Sequence, residues 1–245
     1  MATVILVRHG RTTANASGLL AGRTPGVLLD ETGRAQAAAT GARLAAGPLA
    51  RLVTSPLERC LETAAAIRAQ QPTAPFTDAH LEPALDLVDD DLTECGYGAW
   101  QNRKLADLAK EELWASVQTQ PSAVTFPDGE SMATMQSRAV AAVRRHDAEV
   151  EREFGPGAVW VAVSHGDIIK SILADALGMH LDLFQRLAVG PASTSIISYG
   201  KARPSVPIIN SDAGDLTWLV PAQTSPDGGS HTGDATVGGG AGRAS

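Results

Sequence analysis

Two short apolar stretches constrain the fold of this chain more than any other feature. Residues 4–7 read Val-Ile-Leu-Val, and residues 158–163 read Ala-Val-Trp-Val-Ala-Val. Unbroken apolar runs of this length are typical of strands that are buried on both faces of a parallel sheet. Each run is followed within two residues by a His-Gly pair, at His9 and at His165. Because ligands of open α/β proteins bind beyond the carboxyl ends of the strands, the sequence predicts a functional site that contains both histidines.

Helical and strand patterns alternate along the rest of the chain. Helices are predicted at 31–46, with Asp30 as a cap, at 56–71, at 131–154 with Ser131 as a cap, at 167–178 and, from a weaker pattern, at 103–117. Further strands are predicted at 49–54, 76–88, 192–199 and 205–209. This alternation predicts an α/β sandwich with a largely parallel sheet.

Composition narrows the class of protein. The chain has 245 residues and a net charge of −7, which argues against a general affinity for nucleic acid. The two cysteines, Cys60 and Cys95, are too few for a disulfide scaffold; we expect them to be small buried side chains in a reducing compartment. No apolar run approaches the ~20 residues of a membrane span, and the apolar start is too short for a secretory signal. We therefore expect a cytoplasmic protein without a membrane partner.

Domain organisation follows from a change in composition near the C-terminus. Residues 221–245 are mostly Gly, Ser, Thr, Ala, Pro and Asp. Such a composition cannot form a packed core. We expect one domain over residues 1–220 and a disordered tail over 221–245.

Two arginines accompany the two histidines. Arg8 precedes His9, and Arg59 lies in the first turn of the helix that follows the second strand, where a cation is unfavourable to the helix dipole unless it serves a ligand. A metal site is one interpretation of the cluster, but a fixed cation beside His9 would repel a metal ion, so no metal is expected. An anion site is the favoured interpretation, since guanidinium groups match phosphate oxygens in a bidentate manner.

The same cluster can carry out phosphoryl transfer. An imidazole nitrogen in line with phosphorus can attack it, and the surrounding cations offset the charge on the equatorial oxygens. A carboxylic acid must then protonate the leaving alkoxide. Glu94, in a loop shaped by two glycines, is the leading candidate; Glu82, Glu130 and Asp167 are weaker alternatives.

Five motifs in order resemble the histidine phosphatase family, the phosphoglycerate-mutase-like superfamily. They are Arg8-His9-Gly10-Arg11-Thr12-x-x-Asn15, Ser55-Pro56-Leu57-x-Arg59-x-x-Glu62-Thr63-Ala64, Leu92-x-Glu94-x-x-x-Gly98-x-Trp100, Asp128-Gly129-Glu130-Ser131 and Ser164-His165-Gly166-Asp167. The resemblance covers residues 4 to about 200. It implies a three-layer α/β/α sandwich around a mixed, mainly parallel sheet.

The resemblance also implies roles for particular residues. His9 becomes phosphorylated and Glu94 is the proton donor. The phosphoryl group is bound by three side chains of the cluster and contacted by a fourth: Arg8, Arg59, His165 and Asn15. Gly22, in the polar loop of residues 11–30 that we expect to form a pocket wall, and Gly166 complete the candidate substrate-binding set. The resemblance implies no metal or organic cofactor, a small phosphate ester as the partner, and a possible homodimer.

Family members either hydrolyse phosphate esters or move a phosphate within a sugar acid. The family's mutases carry an adjacent Arg pair after the acid residue, which residues 101–130 lack, and a hydroxyl residue where this chain has Ala21. Both departures favour a phosphatase, which we expect to be metal-independent. A phosphoglycerate mutase-type phosphotransferase is the alternative, and a catalytically silent module that binds phosphorylated ligands ranks below it. A lid that bears Trp114 and leucines is expected to suit an apolar or aromatic leaving group.

Overall fold

A mixed sheet of six strands lies at the centre of the structure, a computed structural model that describes residues 2–71, 87–200, 202–212 and Gly238. The strands are β1 (Thr3–Arg8), β2 (Arg51–Thr54), β3 (Leu87–Val88), β4 (Val159–Ser164), β5 (Thr194–Tyr199) and β6 (Pro204–Ser211). Their order across the sheet is β3-β2-β4-β1-β5-β6. The pairs β1–β4, β2–β4 and β2–β3 are parallel, whereas β1–β5 and β5–β6 are antiparallel. The predicted mixed, mainly parallel sheet is confirmed.

The central strands are buried on both faces, as their apolar sequences predict. In β1, Val4 and Leu6 belong to one apolar core, while Ile5 and Val7 belong to a second core on the opposite face. The side chains of β4 alternate between the same two cores. Because successive side chains of a strand point to opposite faces, a strand without polar residues can only be covered on both sides.

Helices cover both faces of this sheet. They are α1 (Thr13–Ala16), α2 (Glu31–Leu44), α3 (Glu58–Gln70), α4 (Leu105–Leu108), α5 (Glu112–Thr119), α6 (Met132–Phe154) and α7 (Gly166–Ala176). The α2 and α3 helices pack on each other and contribute to the smaller core, whereas α6 and α7 pack on each other and contribute to the larger one. The result is the three-layer α/β/α sandwich that the family resemblance implies.

Local sequence signals fix where two of the long helices begin. Asp30 accepts a hydrogen bond from the Gly33 N–H at 2.7 Å, and Ser131 accepts one from the Thr134 N–H at 3.0 Å. Each therefore caps its helix as predicted. The expected start of α3 at Pro56 is wrong, since that helix begins at Glu58.

The buried face of α3 also differs from the prediction. The apolar pattern of the helix predicts that Leu61 and Ala65 lie in the core, but Leu61 is 39% exposed and Ala65 is exposed as well. Arg59, by contrast, is 2% exposed. The face of the helix that carries Arg59 therefore borders the crevice at the strand ends. The apolar pattern alone does not predict this orientation.

Three weaker predictions have mixed outcomes. The predicted helix at 103–117 is divided into α4 and α5. Of the predicted strand at 76–88, only Leu87–Val88 is a described strand, because residues 72–86 lie outside the described residues. The predicted tail at 221–245 also lies outside them, except for Gly238.

Among the described helices, none has the length and apolar character needed to cross a membrane.

Candidate active site

Sheet topology brings the two strand-end histidines together. β1 and β4 are parallel neighbours, with Arg8 paired opposite Ser164. The His9 N–H donates to the Ser164 carbonyl at 2.9 Å and so extends the pairing by one residue. The rings of His9 and His165 lie edge to face with their centroids 5.2 Å apart.

His9 is held in a single neutral tautomer. Its Nδ1 lies 2.7 Å from the Gly10 carbonyl oxygen, which can only accept, so Nδ1 carries the hydrogen. Nε2 therefore keeps its lone pair, toward which Arg59 Nε donates at 3.3 Å. Burial and the nearby charges of Arg59 and Arg8 hold the pKa of His9 well below its ordinary value. A buried, neutral imidazole whose Nε2 carries a lone pair and lies beside cations is suited to nucleophilic attack on an anion.

Arg59 links the elements around this imidazole. Its Nη2 donates to the Gly22 carbonyl at 2.7 Å and to His165 Nδ1 at 3.2 Å. Its Nη1 is buried and has no hydrogen-bond partner among the described residues. An unsatisfied, charged donor in a buried site favours an anionic ligand, since leaving such a group without a partner is costly.

His165 is a neutral donor on the opposite side of Arg59. Because Arg59 donates to Nδ1, the hydrogen of the neutral ring resides on Nε2, which donates to Ser55 Oγ at 2.8 Å. Burial and the Arg59 charge keep the pKa of His165 well below its ordinary value. Cys60 packs beside the ring, and burial raises the pKa of its thiol to about 12. Cys60 and Cys95 are both buried, as predicted from composition.

Arg8 lies fully buried beneath the cluster. Its Nη1 donates to the Val189 carbonyl at 2.8 Å, and its Nη2 donates to the Gly238 carbonyl at 3.2 Å. Burial lowers the pKa of Arg8 to about 10, so the guanidinium stays charged at neutral pH. Arg8 and Arg59 together supply two fixed positive charges to the site.

Glu94 lines a cleft beside His9 and Arg59, and its exposure is only 3%. Its Oε1 accepts a hydrogen bond from the Cys95 N–H at 2.9 Å. Burial, followed by the negative charge of Asp167, raises the pKa of Glu94 to about 7. A carboxyl group with this pKa can both give up and accept a proton near neutral pH.

Two arginines that the sequence did not single out hold the Glu94 loop. Arg23 Nε and Arg138 Nη2 both donate to the Glu94 carbonyl, at 2.7 Å and 3.2 Å. Both also pair with Glu130. These residues lie at least 44 positions from Glu94 in the chain, so no short-range pattern could have identified them.

The weaker candidates for the acid have other environments. Glu130 forms ion pairs with Arg138 at 2.7 Å and with Arg23 at 3.0 Å, and its pKa is lowered by hydrogen bonds from Arg138 and the Gly96 N–H, against burial. Asp167 accepts from the Tyr97 hydroxyl at 2.8 Å and pairs with Lys170 at 2.9 Å. Glu82 lies outside the described residues.

The cleft beside His9 encloses about 380 Å³ of space, open solvent at its mouth included. Its polar lining comprises His9, Thr12, Asn15, Arg59 and Glu94. Its other side chains are mostly apolar: Leu19, Leu20, Ala21, Tyr97 and Leu105. The cleft thus combines an anion-binding end with an apolar wall.

The remaining predicted residues are placed differently. Gly22 lines the cleft, and Asn15 does so while its Oδ1 accepts from the Thr12 hydroxyl at 2.8 Å. Gly166 begins α7 and is not among the residues that line the cleft. Trp114 is not among them either, because it stacks on Trp100 at a centroid distance of 6.1 Å. Within the described part of the chain, no group of three or more His, Cys, Asp or Glu residues could hold a metal ion.

Comparisons with known proteins agree with this fold. The structure of a mycobacterial glucosyl-3-phosphoglycerate phosphatase in complex with VO3 is similar, with a TM-score of 0.73 and 25% identity, over 85% of this chain and 98% of that one. Phosphoserine phosphatase from Entamoeba histolytica, in complex with 3-phosphoglyceric acid, shares the fold with a TM-score of 0.72 and 21% identity, over 86% of this chain and 98% of that one.

Sequence relatives extend the comparison. A bifunctional protein of Mycobacterium tuberculosis is 34% identical over 217 residues, which make up 84% of this chain and 53% of the relative. The chain spans about half of the length of the curated relatives it matches. Residues 4–212 match the sequence model of the histidine phosphatase superfamily, branch 1, and this chain therefore belongs to that superfamily.

Proposed function

We propose that this protein is a metal-independent phosphatase that hydrolyses small phosphomonoesters through a phosphohistidine on His9. The observation that carries the proposal is the fixed tautomer of His9, in which Nδ1 bonds to the Gly10 carbonyl and Nε2 faces Arg59. An imidazole in this state is a nucleophile without prior loss of a proton.

In the first step, His9 Nε2 attacks phosphorus and the bond from phosphorus to the ester oxygen breaks. Arg59 and Arg8 offset the charge on the three equatorial oxygens, and the Nε2–H of His165 moves from Ser55 to donate to one of them. Glu94 gives its proton to the leaving alkoxide. The products are a phosphohistidine, an alcohol and the Glu94 carboxylate.

In the second step, water attacks the phosphohistidine. Glu94, now ionised, takes one proton from this water as the new bond from oxygen to phosphorus forms. The bond from phosphorus to nitrogen breaks, and its electron pair returns to His9 Nε2. Inorganic phosphate leaves, and Glu94 is again protonated for the next turnover.

The lining of the cleft supports hydrolysis over phosphate transfer between positions of a sugar acid. A mutase needs further cations to bind the carboxylate of its substrate, but Arg59 is the sole cation among the described residues that line the cleft, and Arg8 lies beneath it. The apolar part of the cleft lining includes Leu19, Leu20 and Leu105. We therefore propose a leaving group with an apolar part, selected by these leucines in place of the predicted Trp114.

The test is phosphate release from a panel of esters in the presence of EDTA. The panel contains an aryl phosphate, 3-phosphoglycerate with 2,3-bisphosphoglycerate as primer, phosphoserine and glucosyl-3-phosphoglycerate, the last two because the similar structures are phosphatases named for these esters. We expect release without metal from the wild type, and a loss of more than about a thousandfold in His9→Ala because the nucleophile is removed.

His180→Ala is the matched control, since the side chain of His180 is 66% exposed and is not among the residues that line the cleft. It should release phosphate at the wild-type rate. Acid-labile phosphate on the denatured wild type, absent from His9→Ala, would identify the intermediate. Isomerisation of 3-phosphoglycerate without release would make the protein a mutase, and binding of the esters without turnover would make it a silent binding module.

A further inference from the structure

A residue from the far C-terminus lies in the cleft. Gly238 lines it together with His9, Arg59 and Glu94. The Gly238 carbonyl accepts from Arg8 Nη2 at 3.2 Å, and its N–H donates to Asp167 Oδ2 at 3.0 Å. Both partners are fully buried. One glycine thus satisfies a buried cation and a buried carboxylate at the same time.

The fit is specific for glycine. Gly238 has a φ of +73°, in the left-handed region that side chains other than glycine rarely adopt. A Cβ at this position would lie 3.0 Å from Leu20 Cδ1, tighter than nine in ten contacts of real Cβ atoms, and 3.8 Å from the Tyr97 hydroxyl. Any larger residue would therefore strain the backbone and press against the apolar wall.

The contact with Arg8 carries a functional consequence. Under the proposed function, Arg8 binds an oxygen of the phosphoryl group. The Gly238 carbonyl oxygen accepts from the same guanidinium, in the way that a phosphoryl oxygen would. A ligand that uses Arg8 Nη2 must displace this carbonyl.

We propose that Gly238 is an internal ligand of the phosphate site and competes with substrate for Arg8. This inference rests on the proposed function for the role of Arg8, although the binding test below needs no turnover. Under competition, the apparent affinity for phosphate equals the intrinsic affinity multiplied by the fraction of molecules in which the site is open. If Gly238 occupies the cleft in nine molecules of ten, apparent affinity is about tenfold weaker.

The experiment compares the wild type with Gly238→Val in the full chain, using calorimetric titration with inorganic phosphate. The β-branched side chain removes the glycine fit, so we expect phosphate to bind Gly238→Val about tenfold more tightly, with a matching decrease in KM and little change in kcat. Gly228→Val is the control, since it makes the same change in the same C-terminal region. It should bind phosphate like the wild type.

A second experiment supplies the proposed internal ligand as a separate peptide. A synthetic peptide with the sequence of residues 231–245 should weaken phosphate binding to the Gly238→Val protein. Millimolar peptide is needed because a free peptide lacks the high effective concentration that covalent linkage gives to a segment of the same chain. The same peptide carrying Gly238→Val should have no effect. Equal phosphate affinity in the wild type and the Gly238→Val protein overturns the proposal, as does weaker binding by the variant.

The two proposals fail in distinguishable ways. Tighter phosphate binding by Gly238→Val without hydrolysis of any ester would retain the internal ligand and remove the phosphatase. Hydrolysis of the esters with unchanged phosphate affinity would do the reverse. No phosphate binding by either protein would remove both.

Discussion

Glu94 is the residue whose protonation state governs the proposed chemistry. Its pKa is raised to about 7 because the carboxyl group is buried and lies near Asp167, against the opposing effects of the Cys95 N–H, Arg59 and Arg8. Below this pKa the group is protonated and can serve as an acid; above it the proton is lost. The first step therefore slows as the pH rises through about 7.

The direction of this pH dependence gives a prediction for Glu94→Gln. We expect kcat/KM for an alkyl phosphate to fall by about 10²- to 10⁴-fold, because the amide cannot protonate the leaving alkoxide. The wild-type profile should lose activity above pH about 7, and Glu94→Gln should lack this limb. The ratio of the two profiles, measured at each pH, cancels the second ionisation of the substrate phosphate.

Asp90→Asn is the control for this comparison, since Asp90 is an exposed carboxylate on the same loop. It should retain the wild-type profile. A limb near pH 7 that persists in Glu94→Gln would assign the titration to another group.

At this level the sequence identified the candidate reacting side chains, whereas it did not single out the arginines that hold the Glu94 loop. These side chains belong to motifs of a few residues: His9, Arg59 and Glu94 line one cleft, and His165 accepts a hydrogen bond from Arg59. Arg23 and Arg138, which hold the Glu94 carbonyl, could not be recognised, because their role exists only when separate segments meet.

Secondary-structure elements position the site from outside it. The α6 helix carries Arg138 and begins at Ser131, whose hydroxyl accepts from the Thr134 N–H at 3.0 Å. A side-chain cap satisfies one of the amide groups that the first turn of a helix leaves without a partner. The sequence located this cap correctly because capping involves residues only three positions apart.

The cap leads to a stability prediction. Ser131→Ala should lower the free energy of unfolding by about 1 kcal/mol, measured by urea titration, because the Thr134 N–H loses its partner. Ser131→Asn restores a capping oxygen and should recover most of the loss. Equal losses in both variants would show that the hydroxyl contributes through something other than the cap.

The α3 helix shows where element-level prediction failed. Its apolar pattern placed Leu61 in the core, whereas the structure leaves that side chain 39% exposed and buries Arg59. A pattern of apolar residues assumes that water and core are the two environments available to a helix. Here a third environment is present, the polar crevice at the strand ends, and the Arg59 face of the helix borders it.

At the scale of the whole molecule, stability depends on the two apolar cores on either side of the sheet. Leu6 of β1 is fully buried in the larger core. Replacing a buried leucine by alanine loses transfer free energy and leaves a cavity. An exposed leucine makes neither contribution to the same extent.

We therefore expect Leu6→Ala to lower the free energy of unfolding by about 2–5 kcal/mol. Leu61→Ala should change it by less than about 1 kcal/mol, since that leucine is 39% exposed. Urea titrations of both variants test the difference. A small effect of Leu6→Ala would mean that the core around β1 is loosely packed.

The amino-acid sequence was enough to predict the strand and helix order, the caps at Asp30 and Ser131, and the motifs of the site. Each of these depends on residues a few positions apart, or on runs of apolar side chains that can only be buried. Three other features arise only when the elements pack together: the orientation of α3, the pairing of Asp167 with Lys170 and the presence of Gly238 beside Arg8. Those features depend on which faces remain to be covered once the elements pack, and the preferences of single segments do not contain that information.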